Sequence, residues 1–170
     1  MGKKFIIILI VIIFLSSLKH NNISNKISKT ISENRIEYNY IEKKEKPIGS
    51  IIIQKIKVNN YLYDIKSSNN NVDKNVTILY KNNHIMVLAA HSGNDKISYF
   101  KNLNQLKTND KIIINLNNKK HEYIVENIWE EEKNGTIEFE EKQRKQLILT
   151  TCSPTNKKKQ LIISCTEKEQ

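Results

Sequence analysis

From residue 50 onward the chain is cut into short runs of apolar and β-branched residues, too short and too closely spaced for globular helices. "IIIQKIKV" (51–58), "YLYDI" (61–65), "NVTIL" (75–79), "IMVLAA" (85–90), "KIIINL" (111–116), "EYIVENI" (122–128), "QLILTT" (146–151) and "QLIIS" (160–164) are bounded by Asn, Gly, Pro or Lys clusters. Runs of this length and composition read as β-strands. "LNNKKH" (116–121) reads as a hairpin turn, because asparagine tolerates positive φ. One stretch breaks the rhythm: "ISYFKNLNQL" (97–106) sets Ile97, Tyr99, Phe100, Leu103 and Leu106 at helical spacing. The expectation is an all-β domain with one or two short helices, its eight strands forming a closed or nearly closed antiparallel barrel, which removes sheet edges.

The first eighteen residues differ in kind. "MGKK" supplies positive charge and "FIIILIVIIFLSSL" is an uncharged run of fourteen residues. That pairing matches a secretory signal or an N-terminal anchor. The sequence after the run, "SSLKHNN", lacks a small-x-small cleavage site, so residues 1–18 read as an uncleaved membrane anchor with the N-terminus cytoplasmic. Residues 19–46 are polar with scattered isoleucines and read as a stalk or linker, which Pro47 and Gly49 end. Residues 47–170 are then the working domain, outside the cell membrane. The net charge of +10 raises the question of an anionic partner. Lysine and asparagine are abundant throughout, however, and no basic face is interleaved with aromatics, so nucleic acid is not an expected partner.

Two cysteines, Cys152 and Cys165, do not make a disulfide scaffold. Free cysteine is among the most buried residue types, and Cys165, after "LIIS", fits that description. Cys152 ends a strand, with Thr151 and Ser153 beside it and Pro154 next, which is the setting of a rim. A nucleophilic cysteine needs a histidine brought near by the fold. His20 falls in the stalk, His121 in the turn, and His84 at a solvent-facing strand start. His91 ends an apolar strand in "IMVLAAHSGND", as Cys152 ends one sixty-one residues later. If both ends reach one rim, they form a Cys/His pair.

These residues resemble the sortases, cysteine transpeptidases of the Gram-positive type of cell envelope. "VLAAHSGNDKISYFKNLNQLKTNDKIIINL" is similar to the sortase histidine motif, and "LILTTC" to the Thr–x–Thr–Cys signature. "PIGSIIIQKIKV" resembles the opening strand, with Gln54 where a proline is usual. The likeness covers 47–166, and "AAHSG…YF" is most similar to class B and related sortases. It implies a sortase-type barrel, with Cys152 as nucleophile and His91 as general acid and base. Thr151 and Ser92 are expected beside the substrate. It also implies an arginine on the strand after the cysteine loop, but the only arginines are Arg35 and Arg144. Lys159 or Gln160 takes that position, depending on the alignment. A lysine is a flexible point charge where arginine is a planar fork. The implied partners are secreted proteins bearing a sorting signal and an amine acceptor on the cell wall or another protein subunit, with the membrane held through the anchor. No cofactor is expected. The acidic segment "WEEEKNG" (129–135) shows no well-spaced ligand set, so no metal is expected either. The competing reading is a catalytically degenerate sortase fold that binds peptides on the cell surface.

Overall fold

A computed structural model of the chain describes residues 45–169. The expected anchor over 1–18, and all of the stalk except its last two residues, lie outside the described residues. Eight strands follow in order: β1 (Gly49–Ile53), β2 (Val58–Leu62), β3 (Thr77–Lys81), β4 (Ile85–Ala89), β5 (Lys111–Leu116), β6 (Lys119–Glu132), β7 (Gln146–Cys152) and β8 (Lys159–Glu167). They form one sheet in the order β2-β1-β5-β6-β8-β7-β4-β3. All neighbours are antiparallel except β4 and β7, which run parallel.

The sheet rolls into a barrel that is nearly closed, and the parallel β4–β7 pair corrects the expectation of a wholly antiparallel one. β2 and β3 are its two ends and share no ladder. Asparagine side chains bridge the gap instead. Asn60 Oδ1, on β2, accepts the N–H of Val76 just before β3 at 2.9 Å. Asn70 serves Ile78 twice: its Oδ1 accepts the Ile78 N–H at 2.7 Å and its Nδ2 donates to the Ile78 carbonyl at 3.0 Å.

Alternation along the strands fills the interior. Ile51 and Ile53, Ile112 and Ile114, and Leu147 and Leu149 are fully buried, with polar or half-buried residues between most of them. The run 51–58 is not one strand. Gln54–Ile56 makes a 3₁₀ turn, and Lys57 adopts φ 57°, which folds β2 back on β1. Gly49 is required where β1 meets β5, since a Cβ there would lie 2.1 Å from the carbonyl oxygen of Asn115. The β5–β6 hairpin turns on Asn117 (φ 50°) and Asn118 (φ 62°), as the "LNNKKH" reading expects.

The helix expected over 97–106 is instead a chain of i→i+3 turns, with one 3₁₀ turn at Leu103–Gln105. Phe100, Leu103 and Leu106 are buried there, and their spacing of three is the 3₁₀ period rather than 3.6. Among the described residues there is no α-helix.

A bulge in β6 between Val125 and Asn127 leaves Glu126 without a partner in the ladder with β8. Its carboxylate binds Lys142 and Thr166 and lies 3.5 Å from Arg144, tying the β6–β7 connection to the barrel wall. Burial alone would raise its pKa. The hydrogen bonds from Lys142 and Thr166 and the charges of Lys142 and Arg144 outweigh burial and hold it below the ordinary carboxylate range.

Two outcomes follow from this wall and its seam. Asn60→Ala leaves the N–H of Val76 without its partner and is expected to cost about 1–3 kcal/mol in urea unfolding, while exposed Asn59→Ala stays within about 0.5 kcal/mol. Because Glu126 is depressed in the folded state, its contribution is present above the ordinary carboxylate pKa and lost as pH falls through the folded value. Glu126→Gln should therefore flatten the acid limb of stability between neutral pH and about pH 3, read as the unfolding midpoint at each pH.

Candidate active site

The site is assembled by strand register. β4 and β7 run parallel with Val87 beside Ile148, Leu88 beside Leu149 and Ala89 beside Thr150. Continuing that pairing by two residues sets His91 abreast of Cys152. The continuation is fastened by two hydrogen bonds: Ala90 N–H donates to the Thr150 carbonyl at 3.4 Å, and Thr151 Oγ1 donates to the Ala90 carbonyl at 2.7 Å. His91 is held from the other side by its carbonyl, which accepts the N–H of Phe100 at 3.0 Å. Parallel strands end at the same rim, so the strand ends that lead to His91 and Cys152 lie together.

Residues abreast in neighbouring strands share a face. On β8, Gln160 pairs with Cys152, and on β6, Glu131 pairs with Gln160. Cys152, Gln160 and Glu131 therefore form one row across three strands, and His91, two residues past β4, continues its line. Behind it lie the row Ala89, Thr150, Ile162 and Trp129, and then Val87 and Ile148. This is the outer face of the barrel wall. Of the residues between them, Leu88, Leu149, Leu161 and Ile163 belong to the barrel core, and Thr151 is buried beside them. On the outer face Ile85, Val87, Ile148 and Ile162 are buried in a second apolar cluster beneath Trp129, Ile137 and Phe139. Ile137 and Phe139 come from the β6–β7 connection. An apolar patch thus adjoins the Cys152 row under a loop.

The side chains around the row are well partnered. His91 Nε2 lies 2.9 Å from Asp73 Oδ1, in the β2–β3 connection. Asp73 carries no signal in the sequence, because it sits in an asparagine-rich loop. Cys152 is exposed, and Lys133 Nζ donates to its Sγ at 3.0 Å. Lys133 is a second residue that reading the sequence misses. It follows β6 by one residue, far from Cys152 in the chain, and only the β6–β8–β7 order brings it there.

The other expected residues are placed as follows. Thr151 is buried, and its hydroxyl ties the two strand ends rather than facing outward. Ser92 follows His91 and is half-buried. Lys159 pairs with Glu132 and alternates with Gln160, so it stands on the opposite face of β8 from the Cys152 row. Gln160 is in the row, but both its amide hydrogens are taken. Nε2 donates to Glu131 Oε1 at 2.9 Å and to the Thr136 carbonyl at 2.7 Å. The loop after Cys152 is ordered by Ser153, whose Oγ donates to Glu130 Oε1 at 2.7 Å and accepts the N–H groups of Thr155 and Asn156. Cys165 is fully buried in the barrel core, and burial, with the Glu126 charge adding to it, pushes its thiol far up. Among the described residues no three His, Cys, Asp or Glu side chains gather into a set fit for a metal ion.

A family model described as the sortase domain matches residues 51–168. Among solved structures, a lid mutant of sortase A from Corynebacterium diphtheriae superposes with a TM-score of 0.64 at 21% identity, over 76% of this chain and 75% of that one. Sortase C-1 from Actinomyces oris gives 0.60 at 23% identity, over 74% and 76%. Sortase C from Clostridium perfringens SM101 gives 0.59 at 20% identity, over 74% and 71%. These three are sortases A and C, so the class B likeness of the His91 motif rests on its residues alone. No curated protein matches the chain.

The contrast between the two thiols is directly measurable. In the native chain, iodoacetamide is expected to label Cys152 and leave Cys165 unmodified, with both labelled in denaturant; peptide mapping by mass spectrometry reads the result. Labelling of Cys165 at a comparable rate in the native state would contradict its place in the core.

Proposed function

The chain belongs to the sortase family, and on that premise we propose that it is a cysteine transpeptidase acting on the sorting signals of secreted proteins. The observation that carries this reading is the parallel pairing of β4 and β7, which brings the ends bearing His91 and Cys152 to one rim. In the proposed reaction the Cys152 thiolate attacks the carbonyl carbon of the scissile amide. The carbonyl electron pair moves to oxygen, and on its return the C–N bond breaks. The departing amine takes a proton from His91, and a thioester remains on Cys152. An incoming amine then gives its proton to His91, attacks the thioester carbonyl and expels the Cys152 thiolate, so the new amide forms with no net change in protons. Asp73, beside Nε2 of His91, orients the ring for both transfers.

The acceptor in this reading is an amine of the cell wall or of another protein subunit. The enzyme works outside the cell, held to the membrane by residues 1–18. A second reading, a degenerate sortase fold that binds sorting peptides without cleaving them, is favoured by one observation: Gln160, abreast of Cys152, has no free amide hydrogen to offer.

Intact-mass analysis of the chain with sorting-signal peptides separates the two. A thioacyl adduct on Cys152 is expected, absent in Cys152→Ala and formed about 10²–10⁴-fold more slowly in His91→Ala. Peptide binding without any adduct, from folded protein, would establish the second reading instead.

A further inference from the structure

We infer that Lys133, reaching in from the end of β6, is the catalytic cation of this site. The inference rests on the reading of Cys152 as the nucleophile. Two neighbours in the sequence, Lys159 and Gln160, offer themselves for this role, and the register excludes both. Lys159 stands on the other face of β8, and Gln160 spends its two amide hydrogens on Glu131 and Thr136. Lys157 and Lys158 lie exposed in the loop after Cys152.

Lys133 is fixed at both ends. Its backbone N–H donates to the Lys158 carbonyl at 2.9 Å, extending the β6–β8 ladder by one rung beyond the Glu132–Lys159 pair. Alternation along β6 then puts its side chain on the face of Glu131 and Trp129, which is the face of Cys152. The ammonium donates one hydrogen to the Lys157 carbonyl at 3.0 Å and another to Cys152 Sγ at 3.0 Å. An ammonium has three donors, so one remains for a ligand. The carbonyl behind it holds the flexible stem in place, which supplies part of the rigidity that an arginine fork has by itself.

The geometry gives Lys133 two successive tasks. In the free enzyme its ammonium donates to the sulfur at 3.0 Å and so lies against the atom that attacks. When sulfur bonds to the carbonyl carbon, the negative charge passes to the carbonyl oxygen, two bonds from sulfur. The same ammonium, released from sulfur, can donate to that oxygen without leaving its anchor on Lys157. Stabilisation of charge where it develops is the larger part of such catalysis.

Two measurements on the full chain test this. The rate of alkylation of Cys152 by iodoacetamide at neutral pH needs no substrate. Lys133→Met and Lys133→Gln are expected to lower it about tenfold, and Lys133→Arg to keep it within about threefold of wild type. Lys133→Gln keeps a hydrogen-bond donor on a side chain one atom shorter and loses the charge, whereas Lys133→Arg keeps the charge, so a dependence on charge shows as a difference between the two. In thioacyl formation with a sorting-signal peptide, Lys133→Gln is expected to lower kcat about 10²–10³-fold with KM within about threefold. Wild-type rates for folded Lys133→Gln in both assays would overturn the inference. Lys133-dependent alkylation with no thioacyl product from any peptide would leave the cation–sulfur pair in place and remove the transpeptidase reading.

Discussion

The arrangement of the site depends on the single parallel pair in an otherwise antiparallel sheet. Antiparallel neighbours bring the end of one strand beside the start of the next. β4 and β7, with Ala89 beside Thr150, run the same way, so their C-terminal ends lie side by side. Everything chemical at this rim follows from that. Cys152 is the last residue of β7 and His91 lies two residues past the end of β4, and the Thr151 hydroxyl on the Ala90 carbonyl locks the two ends together. A shift of one residue would turn one of the pair into the barrel interior and leave the other outside.

The wall behind the rim is built on two faces. Inward residues of β4, β7 and β8 make the barrel core, and the outward residues of the same strands are buried under Trp129, Ile137 and Phe139. This explains why β7 reads as a continuous apolar run and not as an alternating one. Six of its seven residues are buried, and only Cys152, the last, is exposed. A strand covered on both sides and open only at its tip is a rigid mount for one reactive group.

Much of this was legible in the sequence. Seven of the eight strands came from apolar, β-branched runs, whereas β2 (Val58–Leu62) falls across the end of one expected run and the start of the next. Asn117–Asn118 announced the hairpin because two adjacent asparagines at a two-residue turn suit positive φ. Cys152 and His91 stood out because each ends a strand where polar residues begin. What failed to show depended on which strands lie together. Lys133 is one lysine among many, and only the adjacency of β6, β8 and β7 gives it Cys152 as a neighbour. The segment 97–106 was misread because Phe100, Leu103 and Leu106 satisfy both a helical stripe and the tighter 3₁₀ period. The parallel direction of β4 and β7 was equally invisible, since a strand's composition carries no arrow.

The asparagines of the β2–β3 connection read as compositional background, yet Asn70 holds both backbone groups of Ile78. That double bond matters because β3 is the last strand of an open sheet. Its free edge would otherwise present a template on which a strand from another molecule could add itself. By occupying the rung at Ile78 with a side chain of its own, the chain blunts that edge without a ninth strand or a proline. Molecules packed together can thus keep their barrels separate even though the barrels never fully close.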